Sequence, residues 1–167
     1  IRTYKGFFDL INSFRKLSDP RARLLIVGKP FNDEITLELL KICGTNHRIR
    51  TVLRFVPEEE VQVYMNATDI VVLPYREVLT SGALLLAMSF RKPVIAPALG
   101  CIPDVLDSQG GFLYDPSDPD GLFLTIQRSL LANLAQMGQY NFQKVQQFDW
   151  GKIGEQTFEV YKRCLSE

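Results

Sequence analysis

The segment with the greatest chemical potential is Pro74-Tyr75-Arg76-Glu77-Val78-Leu79-Thr80-Ser81-Gly82, which joins an apolar strand to an apolar helix. That helix carries no acidic residue in its first turn, so its N-terminal amides and positive dipole end are not neutralised by its own side chains. Thr80 or Ser81 can cap it, and Gly82 lets an anion approach the backbone closely. A helix start of this kind suits a phosphate. The same residues also describe an ordinary capped core helix, and pattern alone leaves both readings open.

Several other site chemistries fail on residue type. No G-x-G-x-x-G follows the first strand, and Gly28-Lys29 is followed by Pro30, not by the Ser or Thr of a P-loop. The strand ends Val27-Gly28, Leu73-Pro74 and Ala96-Pro97 lack the carboxylates of a phospho-accepting receiver, and Thr80-Ser81-Gly82 is not a G-x-S-x-G elbow. His47 is the single histidine, which excludes a mechanism with two imidazoles; after Gly44-Thr45-Asn46 it reads as an exposed loop residue. Cys43, Cys101 and Cys164 form no C-x-x-C pair, so no metal site is expected and free thiols in a reducing cytoplasm are. Glu58-Glu59-Glu60 suits a helix N-terminus better than a metal, and Arg48 and Arg50 alternate as on one solvated strand face.

Short apolar runs alternating with amphipathic stretches imply an α/β fold with a doubly wound parallel sheet. Helices are expected over Lys5–Leu17, with Phe7, Leu10, Ile11 and Phe14 on one face, over Asn32–Ile42 capped by Asn32 or Asp33, and over Pro57–Asn66. Gly82–Phe90 is apolar nearly all round and should be a buried helix, and Pro119–Gln136 and Trp150–Leu165 close the chain as two more. Strands are expected at Ala22–Val27, Arg48–Phe55, Ile70–Leu73, Pro93–Ala96 and Gly111–Tyr114. The 167 residues fit one domain, 1–167, with 46% hydrophobic and 23% charged residues as in ordinary globular proteins. Nineteen basic and 19 acidic residues cancel, which argues against a broad grip on nucleic acid. The longest apolar stretch, around Ala83–Phe90, is far too short to cross a bilayer. The chain opens on Ile1-Arg2 without an initiator methionine, as a piece of a longer protein would.

Ala87-Met88-Ser89-Phe90-Arg91-Lys92-Pro93-Val94-Ile95-Ala96 resembles the E-A-M-A-x-G-x-P-V-I-A segment of glycosyltransferase family 4, whose members have the two-domain GT-B fold. The likeness continues in order along the chain. Ile1-Arg2-Thr3-Tyr4-Lys5-Gly6 resembles the Arg…Lys-Gly segment that opens the donor domain, and Leu24–Gly28 its L-x-I-x-G strand. Asp69–Pro74 is similar to A-D-V-x-V-x-P-S, Gly111–Pro116 with Asp118-Pro119 to G-x-L-x-x-P-x-D-P, and Phe148-Asp149-Trp150 with Tyr161 to the closing F-S-W…Y helix. The resemblance implies a Rossmann-like donor-binding domain, the C-terminal half of a GT-B enzyme whose N-terminal acceptor domain lies outside this chain.

By resemblance, Arg2 and Lys5 meet the donor diphosphate and stabilise charge on the leaving group, the kind of preorganised electrostatics that dominates catalysis. The amides near Thr80, Ser81 and Gly82 would share that load, and Phe55 with the backbone of Val56 would form part of the base pocket. The implied activity is transfer, with retention, from a nucleoside diphosphate sugar (UDP or GDP) to a glycan, lipid-linked or small-molecule acceptor, without a cofactor or obligatory metal. Polysaccharide biosynthesis, a cytoplasmic location and peripheral membrane association through the missing domain are its corollaries, the inner membrane face being the alternative site. Two departures stand out: the family's paired glutamates fall on Val78 and Leu86, and Glu77 is placed to replace the first only if the loop shifts. Arg54 replaces a family glycine before Phe55-Val56, and Asp104, where glutamate is common, is expected to cap a helix. The rival class is a degenerate, non-catalytic nucleotide-binding or protein-interaction module.

Overall fold

The structure is a computed structural model that describes residues 1–165. Its strands pair in parallel throughout, in two ladders: β1 (Leu24–Val27) with β2 (Ile49–Val52), and β3 (Val71–Val72), β4 (Val94–Pro97) and β5 (Gly111–Tyr114) with β4 in the middle. One apolar cluster unites the ladders, since Leu24, Ile26 and Ile49 share it with Ile95 and Tyr114. Helix α1 (Phe7–Arg15) buries Phe7, Leu10, Ile11 and Phe14 in that cluster. Each such side chain contributes about 1.5–3 kcal/mol over its exposed state. On the same core lie α2 (Asp33–Cys43) through Ile35 and Leu39, and α6 (Gly121–Ser129) through Leu122 and Ile126. A second cluster gathers Leu73, Tyr75, Leu84, Met88, Val94 and Ala96 around α4 (Gly82–Ser89), against which α7 (Leu134–Val145) packs. The one-turn α5 (Ile102–Val105) adds Ile102 to the second cluster, whereas α3 (Glu58–Asn66) and α8 (Trp150–Leu165) bury no residue among those described.

Several expectations are corrected by packing. The helix expected from Lys5 begins only at Phe7, because Gly6 adopts a left-handed conformation (φ 65°) that separates a 3-10 turn, Thr3–Lys5, from α1. β2 stops at Val52, where its partner strand ends. The segment 119–136 belongs to two helices, parted by Leu130–Asn133; the Asn133 side chain starts α7 by accepting from the Gln136 amide, and α7 runs on to Val145. α4 is not buried all round: Leu84, Ala87 and Met88 face the core, whereas Leu86 is 39% exposed. Arg48 is not solvated like Arg50; its guanidinium donates to the Leu17 and Asp19 carbonyls and lies over the Phe14 ring, closing the α1–β1 loop. The N-cap of α5 is Cys101, and Asp104 lies inside its first turn. His47 is exposed as expected.

At the far end of α4 the chain turns through Arg91 at φ 56°, the position of the glycine in the motif quoted above. The strained turn is held by the guanidinium over Phe142 (4.3 Å) and by α7, whose Gly138 lies so close that a Cβ there would meet the Arg91 carbonyl at 2.0 Å. Buried Asn141 of α7 donates to the carbonyls of Lys92 (2.8 Å) and Gly110 (2.7 Å). Among the described residues its Oδ1 has no conventional donor; it faces the Cα of Gly110, a geometry suited to a weak C–H···O contact.

Candidate functional site

Residues 1–6 bridge the carboxyl ends of two strands from different ladders. The Phe31 amide, beyond β1, donates to the Ile1 carbonyl, and the Arg76 amide, beyond β3, donates to the Tyr4 carbonyl at 2.8 Å. Glycine is required where this segment crosses the β3 end, since a Cβ on Gly6 would sit 1.8 Å from the Pro74 carbonyl oxygen. The facing wall, the β3–α4 connection, is held equally closely. Gly100, at φ 53°, lies beneath the Val78 and Leu79 carbonyls, and the Cys101 amide donates to Leu79 at 2.8 Å. Arg76 ties the two walls by a bidentate pair with Asp9 of α1 at 2.7 and 2.8 Å, which raises the guanidinium pKa. Exposed pairs contribute little to stability, but the fork geometry fixes orientation.

Between these walls lies a cavity of about 540 Å³ lined by Tyr4, Lys5, Tyr75 and the run from Glu77 to Ala83. Its floor is the start of α4. Ser81 is the N-cap, its Oγ accepting from the Leu84 amide at 3.2 Å, and this decides between Thr80 and Ser81. Among the described residues, nothing beyond its own neighbours in the helix lies within 4 Å of the space a Gly82 Cβ would fill. Gly82 and Ala83, whose amides open the helix, line the cavity, with no acid in that turn to neutralise the dipole end, while the Leu84 amide is taken by the cap. Lys5 supplies a cation on the opposite wall and forms no salt bridge among the described residues. Cation, open amides and the carboxylate of Glu77 give the cavity the means to take an anion with a hydroxylated appendage. A smaller apolar crevice of about 240 Å³, lined in part by Leu84, Cys101 and Phe148, adjoins Thr80–Gly82 on the other side.

The structure thus brings Lys5, Glu77, Thr80, Ser81 and Gly82 around one cavity. Arg2 lies outside its lining, with the guanidinium 4.9 Å from the centre of the Phe31 ring beyond β1. Phe55 and Val56 also lie apart, in the β2–α3 connection, where Phe55 is 71% exposed. Arg54 donates to the Phe55 carbonyl at 3.1 Å and also to Glu60 and Tyr64 of α3, and its hydrogen bonding holds the Glu60 carboxyl below its ordinary range. Val78 lines the cavity, and Leu86 lies one turn beyond Gly82 on α4. Sequence reasoning missed Tyr75 and the Arg76–Asp9 pair: both depend on contacts between distant segments, and the only available signal was a tyrosine where the resembling motif has serine.

A phosphate-suited helix start at the carboxyl end of a parallel strand, in a Rossmann-like α/β domain, defines the general class of this chain. The family model for glycosyl transferases group 1 matches residues 1–132, and the chain belongs to that family. It is 31% identical over its whole length to a GDP-mannose:glycolipid 4-beta-D-mannosyltransferase from Xanthomonas campestris pv. campestris and covers 48% of it, so the chain spans about half the length of such curated relatives. Among solved structures it matches Anabaena HepE in complex with UDP-glucose (TM-score 0.79, 21% identity), covering 98% of this chain and 46% of HepE. It also matches the C-terminal domain of a glycosyl transferase group 1 family protein from Francisella tularensis (TM-score 0.69, 21% identity), covering 87% of this chain and 80% of that one. These structural likenesses show the fold.

Proposed function

We propose that this chain is the C-terminal, nucleotide-sugar-binding domain of a family 4-like glycosyltransferase, which moves a sugar from a nucleoside diphosphate to an acceptor held by an N-terminal domain. The observation that carries this reading is Lys5 set across one cavity from the acid-free start of α4. There the donor's diphosphate would meet a cation and free amides together. As the sugar departs, charge grows on that diphosphate, so contacts that strengthen with it act on the chemical step. Arg2 would reach the same charge from the β1 side, and Phe55 with Val56 would flank the base beyond β2. Glu77 would accept hydroxyl donors from the donor sugar. The Francisella domain supports the C-terminal placement, and UDP-glucose bound to HepE supports a nucleotide-sugar ligand.

The donor base is read as guanine or uracil, from the names of the Xanthomonas relative and the HepE complex. Retention follows from the family 4 resemblance. Inversion is the second reading, favoured by one observation: the Xanthomonas relative makes a β linkage from GDP-mannose, whose sugar is α-linked. Leu86 cannot accept from a ribose diol as a glutamate would, a contact worth roughly 1.5–3 kcal/mol. Calorimetry with GDP, UDP and their 2′-deoxy forms tests the reading. Binding in roughly the micromolar to millimolar range, within about twofold for ribo and deoxy forms, is expected. Failure of every nucleoside diphosphate to bind would refute it, and a strong ribo preference would restore a diol contact through another residue.

A further inference from the structure

Tyr75 is placed between the two charged features of the cavity and belongs to neither. It is 6% exposed, with its ring packed in the second apolar cluster. The ring centre lies 5.9 Å from the Lys5 ammonium, within reach of a cation–π contact. At its other end the phenol oxygen lies 3.0 Å from Ser81 Oγ. Ser81 Oγ already accepts from the Leu84 amide, so the hydroxyl bridge to Tyr75 fixes the orientation of the N-cap. The Tyr75 backbone is fixed as well, its amide donating to Leu73 at 2.9 Å, while Arg76 next to it anchors to Tyr4 and Asp9. One rigid side chain therefore touches the cation of one wall and the helix cap of the other.

We propose that Tyr75 is a positioning residue that sets the Lys5 ammonium and the Ser81-capped start of α4 at a fixed separation suited to a diphosphate. The proposal rests on the reading of this cavity as a donor diphosphate site. Lys5 ends a flexible four-carbon stem and forms no salt bridge among the described residues, so without the ring its ammonium samples many positions. Holding it over Tyr75 lowers the ordering cost at binding. Tyr75 acts through Lys5 and Ser81, and that dependence is measurable.

The test is a double-mutant cycle by calorimetry, with GDP and UDP as probes and guanosine and uridine as phosphate-free controls. Tyr75→Leu is expected to weaken diphosphate binding about five- to tenfold and to leave nucleoside binding unchanged. In a Lys5→Ala background the same substitution should cost only about two- to threefold, the share that comes from the lost hydroxyl bridge to Ser81. Tyr75→Phe, which keeps the ring, should lose about two- to threefold; Ser81→Ala also removes the cap on the Leu84 amide, and the double variant should lose clearly less than the product of the two single losses because both break the same hydroxyl bridge. Equal losses from Tyr75→Leu with and without Lys5, or equal losses for nucleoside and diphosphate, would overturn the proposal. If Tyr75→Leu fails to fold, the Tyr75→Phe and Ser81→Ala cycle decides alone, and full additivity there counts against it. No binding of either diphosphate by the unmutated chain would instead remove the donor-site reading, and the proposal with it.

Discussion

Three helices, α2, α3 and α4, each follow a strand of a parallel ladder, yet their starts differ in charge. α2 opens with Asp33 and Glu34 behind the Asn32 cap, and α3 opens with Glu58, Glu59 and Glu60 behind Pro57. Carboxylates there satisfy the positive dipole end from within the chain, stabilising each helix by about 0.3–1 kcal/mol and repelling any anionic ligand. α4 opens with Gly82-Ala83-Leu84, has a serine cap and faces a cavity. It forgoes that stabilisation, and its helix is held by packing of Leu84, Ala87 and Met88 instead. The site proposed at α4 is set apart as much by what the helix start lacks as by what it carries.

The largest way to break this contrast is to remove the wall that faces α4. Gly6→Ala puts a Cβ into the Pro74 carbonyl at a left-handed position. A loss of about 3 kcal/mol or more in urea unfolding is expected, and a loss below about 1 kcal/mol would show that this crossing is not a fixed wall. Gly82→Asp sharpens the contrast by giving α4 the acidic start of α3, in space that is open. Here the signs should oppose: nucleoside diphosphate binding weaker by about 1–2 kcal/mol, helix stability higher by about 0.3–1 kcal/mol. Calorimetry and unfolding on the same sample check both, and unchanged binding would mean that the anion does not meet this helix start. The smallest effect belongs to the opposite end of α4. Arg91→Gly relieves a left-handed non-glycine residue but gives up the contact with Phe142, for a net gain of about 0.5 kcal/mol in the same unfolding assay. A net loss would show that the ring contact outweighs the strain.

Much of the fold was legible because local signals and tertiary context agree. α8 and β5 match their expected bounds, and the absence of acid at the start of α4 was plain in the residues. What the sequence hid were decisions made by distant partners. Leu130-Leu131-Ala132 continues an apolar pattern, so α6 and α7 read as one helix until the Asn133 cap is seen. Gly6 reads as one more helix residue until Pro74 is found against it. Arg48 reads as surface charge until the Leu17 and Asp19 carbonyls are found beneath it. α8 shows the limit from the other side: Trp150, Phe158 and Tyr161 recur at helical spacing, yet no residue of the helix is buried among the described residues. Periodicity states that a face is apolar and says nothing of its cover. In the site, Thr80, Ser81 and Gly82 were legible from the loop, whereas Lys5 and Glu77 were singled out only through the resemblance. Tyr75 needed the fold itself, because its role depends on two contacts from different segments.

Lys5→Ala, measured by calorimetry with GDP and UDP beside guanosine and uridine at low and moderate salt, tests the central claim most directly. A cation facing the open helix start should contribute about 1–2 kcal/mol to diphosphate binding, more at low salt, and nothing to the nucleosides. A selective, salt-sensitive loss is the expected result; equal losses for nucleoside and diphosphate, or no loss at all, would contradict a diphosphate site between Lys5 and α4.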